Sequence, residues 1–164
     1  MEHYAFKGKH VLITGASGGL GSALAKLLAE EGARLVVTSR SQKALNELIS
    51  KLPHNEDAVA IAADLSISGE AEKLASEAVS ALDRIDVLIN NAGVGYFALM
   101  EEATEENIRH LFEVNTLSPL VLIKTLLPEM QKESAVGWSI FYPVPVGYRF
   151  QPWAFMAAAN RHWP

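Results

Sequence analysis

Short apolar runs alternate with amphipathic stretches at helical spacing, and this alternation restricts the possible folds more than any other property of the chain. Residues 10–14 read His-Val-Leu-Ile-Thr and run directly into Gly15. A short apolar run without polar alternation suits a strand buried on both faces. Leu20, Ala23, Leu24, Leu27 and Leu28 then recur at helical spacing, with Gly32 where a C-terminal cap belongs. A second strand is predicted over 33–38. The next helix is capped by Ser41, turns Leu45, Leu48, Ile49 and Leu52 inward, and stops at Pro53. A third strand covers 58–62. Ser68 is placed to cap a helix with Glu70 and Glu72 in its first turn, where carboxylates favour the helix dipole. A fourth strand covers 85–89. Thr104 is placed to cap a further helical stretch, and a longer helix is predicted from about 115 to 127, before Pro128. Strands and helices joined by short links imply parallel strands with right-handed crossovers, hence an α/β, doubly wound sheet with helices on both faces.

At 164 residues and 49% hydrophobic content, the chain is sized for one such unit. Its net charge of -5 is spread over interleaved acids and bases, which offers no electrostatic reason for a nucleic-acid partner. There is no cysteine, hence no disulfide framework and no thiolate chemistry. The opening Met1-Glu2-His3-Tyr4 does not read as a signal peptide. The most apolar stretch, 117–127, is broken by Pro119 and Lys124 and is shorter than a bilayer requires. A soluble, cytoplasmic protein with no membrane partner is therefore expected. No metal-ligand set is assigned, and the sequence assigns no oligomeric state.

The turn after the first strand, Thr14-Gly15-Ala16-Ser17-Gly18-Gly19-Leu20-Gly21, carries the strongest chemical signal. Glycines at 15, 19 and 21 are expected to permit positive φ and to let backbone N–H groups approach a pyrophosphate. The helix that follows offers unpaired donors and a partial positive charge at its N-terminus. At the end of the second strand, Val36-Val37-Thr38-Ser39-Arg40-Ser41 has no acid to hold a ribose 2′-hydroxyl. Arg40 stands there instead, suited to a 2′-phosphate, so NADP(H) is expected in preference to NAD(H).

The spacing Thr-Gly-x-x-x-Gly-x-Gly resembles the short-chain dehydrogenase/reductase family, and further matches arrive in the family's order. Asp64-Leu65 follows strand three, where the family's aspartate contacts the adenine ring. Asn90-Asn91-Ala92-Gly93 follows strand four, where the family has its Asn-Ala-Gly turn beside the cofactor. Asn115, within Val114-Asn115-Thr116, stands where the family has an asparagine that holds a proton-relay water. Leu127-Pro128-Glu129-Met130 is similar to the family's usual end to that helix. The resemblance covers roughly residues 7–132. It implies a Rossmann-like dinucleotide site built from Thr14, Gly15, Ser17, Gly19, Leu20, Gly21, Arg40, Asp64, Leu65, Asn91, Ala92 and Gly93, with Asn115 retained from the catalytic apparatus. Taken singly, Asp64 also reads as a solvated strand-end acid, Asn91 as a turn residue and Asn115 as a polar residue at a helix kink. Their order along the chain favours the functional readings.

The resemblance also implies a tyrosine acting as general acid/base, a lysine four residues later, and a serine about a dozen residues earlier. A free tyrosine titrates near pH ~10 and needs a neighbouring ammonium to work at neutral pH. No Tyr-x-x-x-Lys exists here: Gly8, Met100, Val146 and Pro152 stand four residues after Tyr4, Tyr96, Tyr142 and Tyr148. No lysine follows Lys132, and Ser139 is the only serine after Ser134. Composition changes at the same place. Residues 137–164 hold all three tryptophans and four of the seven prolines, but no lysine and no acid, which does not read as a strand followed by a helix.

A shifted reading frame from about residue 137 accounts for these departures together. Joining the third base of each codon to the first two of the next gives Tyr or His across Phe155–Met156 and Gly across Met156–Ala157. Serine is permitted at the next two junctions and lysine across Ala159–Asn160, while His162–Trp163 gives Leu and Trp163–Pro164 gives Ala. The hidden frame thus allows Tyr-Gly-Ser-Ser-Lys-x-Ala-Leu-Ala, similar to the family's active-site helix. Upstream, the codons from Tyr142 to Gly147 permit Ser-Ser-Ser-Ser-Gly at the family's serine position.

These readings divide the chain into a dinucleotide-binding unit, 1–136, and an aberrant aromatic tail, 137–164, so that the sheet is incomplete at its C-terminal half, with the fourth strand's outer edge unpaired. The expected function is that of an NADP(H)-dependent oxidoreductase, moving hydride between nicotinamide and a small-molecule carbonyl or alcohol, with this chain itself catalytically incompetent. The alternative is a non-catalytic dinucleotide-binding or protein-interaction module whose aromatic tail docks on a partner.

Overall fold

Alternate residues of each central strand are buried on opposite faces, so each strand feeds two separate cores. In β1 (His10–Thr14), Val11 and Ile13 join one hydrophobic cluster and Leu12 joins the other. The same division holds in β2 (Arg34–Ser39) and β4 (Val87–Asn90): Leu35, Val37, Val87 and Ile89 face one way, Val36 and Leu88 the other. The computed structural model describes residues 6–96 and 99–132 with the strand segments 138–141 and 156–158.

Helices cover both faces. On one, α1 (Gly19–Glu30) and α2 (Gln42–Ile49) supply Ala25, Leu28, Ala29 and Leu45. On the other, α3 (Glu70–Leu82) and α5 (Ser118–Lys132) supply Leu74, Ala78, Leu122 and Leu126. Burying each such Leu, Ile or Val side chain contributes about 1.5–3 kcal/mol relative to leaving it in water, so two full layers are secured by a short sheet. The order is β3-β2-β1-β4-β5-β6, with β3 at Ala58–Ala62, β5 at Trp138–Phe141 and β6 at Met156–Ala158. All pairings are parallel except β5 with β6. The order reverses direction at β1, so a crevice opens between the C-terminal ends of β1 and β4, where ligands of such sheets bind.

The predicted strands and helices are present, with four differences that have physical causes. Ser68 does not cap α3. Gly69 occupies the cap with φ of 88°, which leaves Ser68 one residue too early. The helix predicted to end before Pro128 continues to Lys132; Pro128 forfeits one bond to the carbonyl of Lys124, whose side chain is exposed, and the helix runs on. Helix α4 (Glu105–Phe112), a π-helical turn (Glu113–Leu117) and α5 join into one rod. Over Glu105–Gln131 that rod is long and apolar enough to cross a membrane, unlike the 117–127 stretch considered alone, yet it turns Val114, Leu122, Leu126 and Met130 inward. Finally, the outer edge of β4 is paired: Val87, Leu88, Ile89 and Asn90 stand opposite Trp138, Ser139, Ile140 and Phe141. Those four residues contain no proline, so each keeps its backbone donor for the ladder; the prolines begin at Pro143.

At the opposite end of the sheet from the crevice, β1 is stitched to the start of β4. The buried Asp86 carboxylate accepts from the His10 backbone N–H at 2.8 Å and from Arg84 Nε at 3.1 Å. The His10 imidazole is buried with Nδ1 3.3 Å from the Arg84 carbonyl. Burial, and then the Arg84 guanidinium, hold this imidazole below its ordinary value, with Asp86 opposing. An unfolded histidine takes up its proton near pH ~6.5 while the folded one resists, so the unfolded state binds more protons below that pH. The stability present above ~6.5 is therefore lost progressively as pH falls toward the depressed folded value. The urea midpoint is expected to drop between pH 7 and pH 5, and less steeply for His10→Gln; equal slopes would contradict this.

Candidate functional site

The ends of β1, β2, β3 and β4 converge on one groove of about 440 Å³, within the range of small-ligand sites. Its floor is the turn from β1 into α1. Gly15 adopts φ of 64°, and a Cβ there would lie 2.8 Å from Ala92 Cα. Gly21 lies inside α1, where a Cβ would collide with the Gly15 carbonyl and stand 2.8 Å from Ala16 Cα. Gly19 has open space where its side chain would be. Of the three glycines expected to permit positive φ, only Gly15 uses it; Gly21 is required by close approach and Gly19 by an unobstructed groove wall. No side chain caps α1 at Gly18, so the first-turn N–H groups remain available at the groove.

Two side chains hold this turn against the one after β4. Thr14 Oγ1 accepts from Asn91 N at 3.0 Å and Ala92 N at 2.9 Å. Asn91 Nδ2 donates to the Thr14 carbonyl at 2.9 Å and the Gly15 carbonyl at 3.1 Å. Thr14 is 1% exposed and stays behind the wall. Asn115 also stays behind it. Within the π-helical turn, its Oδ1 accepts from Val94 N and its Nδ2 donates to the Val94 carbonyl, both at 2.9 Å. That side chain is therefore committed to pinning the segment after β4 to the helical rod.

The other predicted residues line the groove: Gly15, Ser17, Gly19, Leu20 and Gly21 from the first turn, Arg40 after β2, Asp64 and Leu65 after β3, and the turn at 91–93. The Asp64 Oδ1 accepts from Ser66 Oγ at 2.7 Å and Ser66 N at 3.0 Å. The Ser66 hydroxyl, and then its backbone N–H, hold this carboxyl below its ordinary range; burial opposes them, and the charges of Arg40 and His110 assist. Eight lining residues were not assigned to the site by sequence reasoning: Gly18, Thr38, Ser39, Ser41, Ala63, Val94, His110 and Val114. His110 and Val114 are one helical turn apart just before Asn115, a spacing that could have marked one face of α4 toward the groove. Thr38 is 1% exposed, and its hydroxyl has no hydrogen-bond partner among the described residues. A glycine floor, open helix donors, an arginine and an orphaned hydroxyl fit a phosphate-bearing nucleotide.

Comparison with known proteins agrees with this geometry. The sequence pattern of the short chain dehydrogenase family matches residues 9–143. The chain belongs to the short-chain dehydrogenase/reductase family. An uncharacterized oxidoreductase of Methylorubrum extorquens is 43% identical over 117 residues, which is 70% of this chain and 47% of that protein. An NADH-dependent reductase complexed with NAD superposes with a TM-score of 0.75 at 32% identity, over 81% of this chain and 56% of that one. A metagenomic short-chain oxidoreductase in complex with NADP gives 0.74 at 33% identity, over 79% and 58%. The chain therefore spans about half the length of such members of the short-chain dehydrogenase/reductase family.

Proposed function

We propose that the 1–136 unit binds a nicotinamide dinucleotide, NADP(H) in preference to NAD(H), for hydride transfer between nicotinamide and a carbonyl or alcohol by the whole protein. The observation that carries this reading is the groove at the sheet's reversal point, with the Gly15–Gly21 turn at one side and Arg40 at the end of β2. The α1 first-turn N–H groups hold the pyrophosphate, and Arg40 with Ser39 and Ser41 faces the adenosine 2′-position. Thr14 and Asn115 position the walls from behind, and Asn91 does so while lining the groove. Bound there, the nicotinamide supplies the hydride. Related proteins have been crystallised with NAD and with NADP, so the preference rests on Arg40 and on the absence of an acid after β2. Arg40→Ala is expected to weaken NADPH binding ~10–100-fold, the scale of a charged hydrogen bond, and to leave NADH nearly unchanged. A titration in which the unsubstituted chain binds NADH more tightly would overturn the preference.

The tail at 137–164 belongs to the same proposal as the product of a shifted frame, which leaves this chain without its acid/base and therefore catalytically incompetent. A soluble, cytoplasmic setting is part of the reading as well. Its support is that the apolar helical rod packs its core residues on α3 and the sheet.

A further inference from the structure

Ser118 opens α5, directly after the π-helical turn, and is 2% exposed. A helical serine commonly returns its hydroxyl hydrogen to a carbonyl of the preceding turn. Ser22, Ser76 and Ser80, the other helical serines among the described residues, do so: they donate to the carbonyls of Gly19, Glu72 and Ser76. Ser118 does not. Its Oγ donates to the Leu65 carbonyl at 2.7 Å, a buried bond to a residue 53 positions earlier. Leu65 belongs to the loop after β3, which lines the groove through Ala63, Asp64 and Leu65. From the β2 side the same loop is held by Ala63 N, which donates to the Ser39 carbonyl at 3.0 Å. The bonds from Ser66 to Asp64 Oδ1 and from Ile67 N to the Asp64 carbonyl are internal. They fix the loop's shape and leave its placement to contacts from outside. Earlier on the same rod, Asn115 holds the Val94 backbone through two bonds of 2.9 Å. One helical rod therefore secures both walls, the loop after β3 through Ser118 and the segment after β4 through Asn115. The rod is itself fixed by Leu122 and Leu126, both fully buried in the core.

We propose that Ser118 is a positioning residue for the adenosine half of the dinucleotide; this rests on the dinucleotide reading above. In the strand order β3-β2-β1-β4, the loop after β3 and the turn after β4 lie on opposite sides of the glycine turn that follows β1. A pyrophosphate on that turn sends the two nucleosides toward different walls, and Arg40 at the end of β2 marks the β3 side as the adenosine side. Ser118 does not line the groove. Its hydroxyl fixes how far the loop after β3 stands from the rod, and with it the width of the groove on that side. Removing the hydroxyl leaves the buried Leu65 carbonyl without its donor, which costs free energy until the loop shifts to find another. The shift carries Asp64 and Leu65 together, because the Ser66 bonds make the loop one piece. Val94 stays where Asn115 holds it.

The test uses the 164-residue chain with three probes, read by NMR titration: adenosine 2′,5′-bisphosphate and nicotinamide mononucleotide for the two halves, and NADP for the whole. Ser118→Ala is expected to weaken adenosine 2′,5′-bisphosphate and NADP each ~5-fold, the scale of one hydrogen bond. Nicotinamide mononucleotide should bind as before. Ser118→Thr keeps the hydroxyl and is expected to recover most of the loss. Partial unfolding lowers binding of both halves alike, so the split between them reads the placement of the loop even where the alanine variant melts earlier. Unchanged affinities in Ser118→Ala, equal losses for the two halves, or a Ser118→Thr chain as weak as Ser118→Ala overturns the role of Ser118 and leaves the dinucleotide reading intact. A folded, unsubstituted chain that binds neither NADP nor the bisphosphate overturns both.

Discussion

Gly21→Ala is expected to weaken NADPH binding at least ~10-fold while costing about 1–3 kcal/mol of stability, the range for one carbon too many in a close-packed place. The added Cβ would strike the Gly15 carbonyl and stand 2.8 Å from Asn91 Nδ2. That amide nitrogen is the group that ties the two turns together, donating to the Thr14 and Gly15 carbonyls. None of these neighbours is the loose end of a flexible side chain. Relief requires α1 to move away from β1, which carries its first-turn N–H groups out of register with the pyrophosphate. Gly19→Ala is the informative control. Its Cβ meets nothing within 4 Å, so stability is expected to hold while affinity falls, because the new methyl occupies ligand space. Fluorescence titration of NADPH and urea unfolding of both variants check the pair. A Gly21→Ala chain with unchanged midpoint and affinity would contradict the packing argument.

The largest kinetic effect is expected from restoring the other frame. Translating the gene with the shift applied at about codon 137 is expected to raise NADPH-dependent carbonyl reduction by at least ~10²–10⁴-fold over the 164-residue chain, the contribution of a positioned proton donor. The chain as written has no tyrosine with a lysine four residues later, which is the pair that the restored frame would supply. The family pattern extends to residue 143, past the point at which the composition changes. Nucleotides across codons 137–164 that encode other residues at the critical junctions, or a stop, would end this reading. Carbonyl reduction by the 164-residue chain at the rate of the restored one would end the claim of incompetence.

Much of the groove was legible because its signals are local. An apolar run ending in Thr14-Gly15 places a turn at a strand end whatever surrounds it, and the run at 58–62 marks β3 the same way. Arg40 follows β2 directly and Asp64 stands two residues past the end of β3, and parallel strands bring such positions to one end of a sheet. Ser41 was readable as a cap because its hydroxyl accepts from Ala44 N, three residues on. Ser68 misled because the cap depends on where the helix axis starts, and the backbone at Gly69 decided that.

By itself, then, the amino-acid order determined the alternation of strands and helices, the glycine-rich turn after β1 and the charged residues that come after β2 and β3. These depend on contacts within a few residues or on the two-residue period of a strand. The tertiary structure alone decided that Asn91 secures the Gly15 turn, that Asn115 spends its amide on Val94, that His110 reaches the groove and that β5 covers β4. Each of those joins residues separated by long stretches of chain, and their meeting depends on strand register and helix placement that no local pattern encodes.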